Sequence, residues 1–364
     1  MGEPATMSTR EERILSIIET ARGKRAKFRD ERITMAHGAG GKATQTLIEG
    51  LLVPAFGGET LGAMADAGAF ELGGLDLALT TDSYVVKPLR FPGGSIGELA
   101  VNGTVNDLAV SGARPIALTL SLVLEEGVSA EALRAEVDAI AAAAREAGVE
   151  IVAGDTKVVE RGHADGMYVC TAGIGLRDGR AHVDPRAIEP GDRILLSGGI
   201  GEHGMAIMLA RGEFDLDASI ESDTRSRWPA VDALLDAGGA GVHCMRDATR
   251  GGVAAALNEL ARASSVAMLV HESAVPVRAE IAGAAELLGI DPLYVANEGK
   301  FVAFVAPGAA EDALEALRAV PGCEQAVEIG EVRTEPPGMV LVETSFGGRR
   351  VMDQLVGDPL PRIC

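Results

Sequence analysis

Only 3% of this chain is aromatic, while 46 of its residues are glycine. A core built on those terms must come from Ala, Val, Leu and Ile. Such residues favour thin layers of helix on sheet, joined by short glycine turns. At 364 residues the chain is long enough for two domains of this kind. Its net charge of −20 repels nucleic acid and anionic membrane surfaces. Basic residues gather only at Arg22, Lys24, Arg25, Lys27, Arg29 and Arg32, where Glu11, Glu12, Glu19, Asp30 and Glu31 interleave, so a solvated extension is expected rather than a binding arm. The first residues lack the apolar run of a secretion signal, and no stretch approaches a membrane span. Cys170, Cys244, Cys323 and Cys364 show no paired spacing. Cys170 lies in the apolar run 167–174 and reads as buried. His243 and Cys244 are adjacent and would point apart on a strand, which argues against zinc. The pattern suits a reducing cytoplasm.

Periodicity divides the chain into an N-terminal helical extension over 1–32, a first domain over 33–186, a second over 187–345 and a tail over 346–364. Apolar spacing predicts a helix at 10–22. In the first domain it predicts strands at 75–86, 115–124, 150–153 and 167–176. Helices are expected at 94–112, with Ser95 as N-cap, and at 129–147, closed by Gly148. The short strand at 150–153 is expected to run into a turn, Gly154-Asp155-Thr156-Lys157. The second domain is expected to alternate strands at 193–197, 267–270, 301–305 and 326–332 with helices at 205–211, 229–237, 252–263, 277–288 and 309–319. Strands joined both by helices and by turns indicate a mixed α+β sheet. From Phe346 the periodicity fades, which reads as a mobile tail.

Several constellations carry chemistry. His37-Gly38-Ala39-Gly40-Gly41-Lys42 resembles a Walker A loop but fails it, because Ala36 stands where Gly is needed and Ala43 where Ser or Thr would bind magnesium. The loop is still expected to wrap phosphate through its backbone, with His37 and Lys42 at its two ends. Gly199-Ile200-Gly201-Glu202-His203-Gly204 has dinucleotide-fingerprint spacing between a strand and a helix. Glu202 would oppose a pyrophosphate, however, and no acid-ended strand follows, so nicotinamide binding is disfavoured. Asp66, Asp82, Asp107 and Asp155 fall near element ends in apolar or Gly-rich sequence. Converging carboxylates need a cation, and a few of them beside Asn102 suit Mg²⁺ with a phosphate ligand. Asp247 to Gly252 place a glycine pair before a helix, a ready anion site. Glu298, in Asn297-Glu298-Gly299-Lys300, is either an exposed acid or a general base. The chain ends in Cys364, a sterically free thiol that another protein's active site could modify.

The segments HGAGGK, TTDSYVV, FPGGSIGELAVNGTVNDLAVSGARP, GDTKVV, GIGEHG, DATRGGVA, NEGK and the terminal PRIC resemble the HypE-type hydrogenase maturation proteins, which are carbamoyl dehydratases. The resemblance runs from about Ile33 to Cys364. Most internal motifs are shared more loosely with the PurM-like, aminoimidazole ribonucleotide synthetase-related superfamily; PRIC is the most specific. It implies a PurM-like two-domain fold in which the N-terminal domain completes a β-barrel across a homodimer. It implies ATP and Mg²⁺ as cofactors, with Asp66, Asp82, Asp107 and Asp155 at the metal. Gly38, Gly40, Gly41, Lys42, Asn102, Asp107, Thr156 and Asp247 would bind the nucleotide. Cys364 would accept a carbamoyl group from a HypF-type carbamoyltransferase, and ATP-dependent dehydration would leave a thiocyanate for a HypC/HypD-type scaffold and the cyanide ligands of [NiFe]-hydrogenase. Glu298 would be the base, His37 the second choice, and Lys157 an electrostatic partner. Gly347, Gly348 and Gly357 would let the tail swing, Pro359 and Pro361 would keep it extended, and Arg362 would steer it. Two alternatives remain: a phosphotransferase acting on a free small molecule, and a thiol carrier without turnover.

Overall fold

The computed structural model describes residues 27–62, 64–212, 219–355 and 363–364. The helix expected at 10–22, Gly357, and the residues Pro359, Pro361 and Arg362 lie outside them. Helix α1 (Lys42–Leu47) follows the glycine loop and leads, through further helical turns, to the first sheet. That sheet contains β1 (Gly68–Leu72), β2 (Leu75–Tyr84), β5 (Ala113–Glu125), β6 (Glu150–Val159) and β7 (Met167–Arg177). A small ribbon, β3 (Arg90–Phe91) with β4 (Gly94–Ser95), stands apart from it. The strand order is β1-β2-β7-β5-β6, and only β5–β6 is parallel.

Helices α2 (Ile96–Val110) and α3 (Ala130–Ala147) cover one face. Ser95 precedes α2 as expected, and Ser129 Oγ accepts from Ala132 N at 3.0 Å to cap α3. Ile96, Leu99, Val101, Val105 and Leu108 of α2 are all fully buried, as are the polar Thr104 and Asn106, so this helix is covered on every side, wedged between the sheet, α3 and the second domain. The opposite sheet face is open: Leu72, Leu75, Leu79 and Val152 are exposed. One chain closes no barrel.

Two expectations fail here. Cys170 is half-exposed, because the strict alternation of β7 turns Val169 and Thr171 inward and Cys170 outward, where Ser83 Oγ lies 3.2 Å from its sulfur. The predicted turn at 154–157 is the middle of β6; nearly every residue of that edge strand faces solvent, so no burial pattern marked it.

The second sheet joins β8 (Arg193–Leu196), β9 (Val242–Asp247), β10 (Ala267–His271), β11 (Phe301–Val305), β12 (Val327–Arg333), β13 (Met339–Glu343) and β14 (Arg349–Met352). The order is β14-β13-β10-β12-β8-β11-β9, with only β10–β13 parallel. The tail expected from Phe346 therefore begins with a strand, β14, whose short Arg-rich run hid it. Helices α4 (Glu202–Ala210), α5 (Trp228–Gly238), α6 (Gly252–Ser264), α7 (Ala279–Leu288) and α8 (Ala310–Arg318) complete the domain. Strand β11 is buried on both faces: Val302 and Phe304 pack with Leu257 and Leu260 of α6, while Phe301, Ala303 and Val305 pack with Leu234 of α5 and Leu317 of α8. A third cluster bridges the domains and joins Tyr84, Phe91, Ile96 and Leu99 to Met205, Ile281 and Ile363 near the chain's end. Among the described residues, no helix is long and apolar enough to cross a membrane.

Candidate active site

Four elements deliver carboxylates to one cleft between the domains. Asp66 precedes β1, Asp82 lies on β2, Asp107 on the last turns of α2, and Asp247 ends β9. Oxygen atoms of Asp66, Asp107 and Asp247 all lie within 4.8 Å of one another. Thr80 Oγ1 sits 2.8 Å from Asp107 Oδ2 and 2.9 Å from the Asp66 carbonyl. Tyr84 Oη donates to Asp82 Oδ2 at 3.0 Å. These groups and Glu298 line a cavity of about 670 Å³, which Cys364 also lines.

The cost of this crowding is visible in the titration of the acids. Burial, with Asp82, Asp247 and Asp66 adding to it, pushes Asp107 well above the usual carboxylate range. Burial and Asp66 do the same to Asp247, against the pull of Arg246. Burial, Asp247, Asp223 and Asp82 raise Glu298, with Arg250 opposing. Arg246 is the cation paired into the cluster, with Nε 3.0 Å from Asp66 Oδ1 and Nη1 2.8 Å from Glu259 Oε2. It leaves the three-carboxylate set short of positive charge. A half-buried, oxygen-only donor set of this kind fits a divalent cation such as Mg²⁺.

The glycine loop borders a second cavity of about 570 Å³, lined by His37, Gly38, Gly40, Gly41, Tyr294, Arg250 and again Cys364. Arg250 Nη1 donates to Gly38 O at 2.7 Å. Gly40 has φ 75°, and a Cβ there would lie 2.8 Å from Arg250 O, so only glycine lets the loop come this close. Cys364 thus stands where the acidic cavity and the glycine-loop cavity meet. Its backbone oxygen accepts from Val85 N at 3.0 Å, and Ile363 O takes a hydrogen bond from His203 Nε2 at 2.5 Å.

Not every expected residue arrives here. The His37 ring is used structurally: Nε2 pairs with Asp30 Oδ2 at 2.9 Å and Nδ1 accepts from Thr34 N at 3.0 Å. Lys42 turns to Asp353, at 2.8 Å, instead of over the loop. Asn102 donates to Thr224 Oγ1 at 3.3 Å and does not line the acidic cavity. Asp155, Thr156 and Lys157 lie on exposed β6, where Asp155 pairs with Lys157 at 3.0 Å and accepts from Thr156 N at 2.8 Å. In one chain, then, Asp155 is no part of the carboxylate set, and Asp247 stands in its place beside Asp66 and Asp107. Sequence reasoning also passed over Thr80, Tyr84, Arg246 and Arg250. The strand alternation of TTDSY, which turns Thr80, Asp82 and Tyr84 to one side, was the available signal for the first two. The fingerprint-like GIGEHG is no dinucleotide site: Gly201 N donates to Asn297 Oδ1 at 2.7 Å, and Glu202 and His203 are buried.

The fold and the carboxylate cleft define a protein of the AIR synthase related class: models of its N-terminal and C-terminal domains match residues 64–177 and 189–342. Carbamoyl dehydratase HypE of Bradyrhizobium diazoefficiens is 47% identical over 341 residues, which is 94% of this chain and 99% of the relative. A crystal structure of the hydrogenase maturation protein HypE in complex with ATP shares 43% identity at a TM-score of 0.76, covering 92% of this chain and 100% of the other. One of a HypE–HypF complex shares 44% at a TM-score of 0.81, covering 85% and 99%. The chain belongs to the HypE family of carbamoyl dehydratases.

Proposed function

We propose that this chain dehydrates an S-carbamoyl group carried on its own Cys364, at the expense of ATP, to give the thiocyanate that supplies cyanide for [NiFe]-hydrogenase maturation. The observation that carries the reading is the seat of Cys364 between a cavity lined by Asp66, Asp82, Asp107, Asp247 and Glu298 and one lined by the glycine loop. The overall step is R–S–C(=O)NH2 + ATP → R–S–C≡N + ADP + phosphate. The amide oxygen is a poor leaving group until it carries the γ-phosphoryl group, and expulsion of phosphate then requires loss of both N–H protons. Glu298 is the base we assign. Its Oε1 is buried with no hydrogen-bond partner among the described residues, so an N–H of the carbamoyl group would satisfy it.

Asp66, Asp107 and Asp247 would hold the cation, with Asp82 beside them. A divalent ion there supplies charge neutralisation for the polyphosphate. Arg250 and Gly38–Gly41 face the same space and would bind phosphate oxygens, whereas His37 and Lys42 already hold Asp30 and Asp353 and serve the loop's shape.

A homodimer sealed through the open face of the first sheet accounts for the exposed Leu72, Leu75, Leu79 and Val152. Asp155, Thr156 and Lys157 lie on that sheet's free edge and would join a nucleotide site only if a second copy docked along β6. A HypF-type carbamoyltransferase would load Cys364, and a HypC/HypD-type scaffold would unload it. Domains over 33–186 and 187–345, and a cytoplasmic setting with four thiols, complete the reading.

Intact-protein mass spectrometry tests it. Incubation with the carbamoyltransferase and its carbamoyl donor should add one carbamoyl group to Cys364, and ATP should then remove one water. ATP turnover that survives deletion of Cys364 would instead indicate a free small-molecule substrate. Carbamoylation with no later water loss would indicate a carrier alone.

A further inference from the structure

The segment after α4 holds two adjacent buried polar residues, Ser222 and Asp223, that contact different halves of the site. Ser222 is anchored to the first domain by its N–H, which donates to Pro92 O at 2.8 Å. Its hydroxyl lies 2.8 Å from His203 Nδ1, and His203 Nε2 lies against Ile363 O. A carbonyl only accepts, so Nε2 carries the proton and Nδ1 accepts from Ser222. The imidazole also stacks edge-on against Phe91, with ring centroids 5.6 Å apart. Asp223 faces the other way. Oδ1 accepts from Glu298 N at 3.1 Å, and Oδ2 accepts from Gly299 N at 3.1 Å and Lys300 Nζ at 2.9 Å. A Cβ on Gly299 would sit 1.9 Å from Asp223 O, so the fit tolerates only glycine. Burial opposes ionisation of Asp223, but Lys300 and the Glu298 N–H overcome it and hold the carboxylate below the usual range.

We propose that Ser222 and Asp223, acting through His203 and the 298–300 turn, are positioning residues that seat the Cys364 tip and Glu298 in one common frame. One dipeptide fixes both, so carrier and base keep their spacing. The inference rests on the reading of Cys364 as the carbamoyl carrier.

The test uses the full chain and three variants, with two readouts. The first is alkylation of Cys364 by iodoacetamide without nucleotide or partner, followed by peptide mass spectrometry. The second is the single-turnover rate of water loss after carbamoylation and ATP. His203→Phe keeps the ring and loses the donor. It should raise the alkylation rate about tenfold, the worth of one hydrogen bond to a docked tip, and slow water loss by a like factor. His203→Gln keeps a donor and should recover most of both. Asp223→Asn should slow water loss while leaving alkylation near the wild-type rate, because it governs the Glu298 turn and not the tail. A purely structural role would move both readouts in all three variants and allow no rescue by Gln. Unchanged alkylation and water loss in His203→Phe overturn the clamp. If His203→Phe does not fold, Ser222→Ala replaces it, with a smaller change in the same direction expected and none overturning the proposal. If the wild-type chain loses no water with ATP, the assigned reaction falls, while the alkylation ratio still decides whether His203 seats the tip.

Discussion

Replacing Asp66 by Asn should stabilise the cation-free protein at neutral pH, even though Asp66 pairs with Arg246. Burial outweighs the opposing Arg246 charge, Glu259 and Asp82 add to it, and the carboxyl titrates at about 7 instead of 3.8. An acid raised in this way keeps its proton in the folded state after the unfolded chain has released it. Its contribution to stability is intact below about pH 4, declines between about 4 and 7, and is lost above that. At ~1.4 kcal/mol per pKa unit, the loss is ~4 kcal/mol when complete. The side chain is only 13% exposed, so solvent relieves little of it. Asn keeps a carbonyl for Arg246 and never ionises. Thermal unfolding followed by circular dichroism in EDTA, from pH 4 to 8, measures the difference between variant and wild type. That difference should be close to zero or slightly unfavourable at pH 4 and reach several degrees in favour of Asp66→Asn at pH 8. Saturating Mg²⁺ should raise the wild-type melting temperature and move the variant far less. A variant that melts lower than wild type at pH 8 in EDTA, or a difference independent of pH, would refute the reasoning, because the Arg246 pair would then outweigh burial.

Glu298→Gln should bind ATP and accept the carbamoyl group, yet lose water ~10²–10⁴-fold more slowly; dehydration at the wild-type rate removes Glu298 as base. Gly299→Ala should push the 298–300 turn off Asp223 and cost ~1–3 kcal/mol in a urea titration, together with slowed water loss; wild-type stability would mean that the turn yields without consequence. Leu79→Lys, on the open sheet face, should shift the chain towards monomer in light scattering after size exclusion; an unchanged mass places the self-association surface elsewhere.

How much of this was legible beforehand depended on burial. Strand β11 announces itself as FVAFV because both of its faces are covered, and α2 does so because none of its faces is free. Ser129 and Gly148 mark the ends of α3 by cap chemistry that needs no tertiary context. Strand β6 gave no such signal: as an exposed edge it carries Gly, Asp, Thr and Lys, which outside a sheet spell a turn. The site followed the same division. Asp66, Asp82 and Asp107 could be picked out as converging acids in apolar or Gly-rich sequence, but the place of Asp247 beside them could not, since it depends on how β9 of one domain meets α2 of the other. Arg246 was missed because nothing local says that an arginine one residue before Asp247 reaches back to Asp66. His203 was hidden within a glycine pattern that suggested a different ligand.

A substrate that belongs to the chain must also be able to leave, and the contacts at its tip are scaled for that. The contacts that hold Ile363 and Cys364 include two backbone hydrogen bonds, from His203 and Val85, and the packing of both side chains on the interdomain cluster. Two such bonds contribute ~2 kcal/mol, and burying one Ile contributes ~2–3 kcal/mol. Against this stands the entropy of fixing two residues, ~1–2 kcal/mol each for backbone and about 1 more for the side chains. On these contacts alone the balance is within ~2 kcal/mol of even, so none of them by itself locks the tip in its seat. A tighter seat would hide Cys364 from the carbamoyltransferase, and a looser one would leave Glu298 without a substrate. On this scale a single hydrogen bond, such as that from His203, is enough to decide which state predominates.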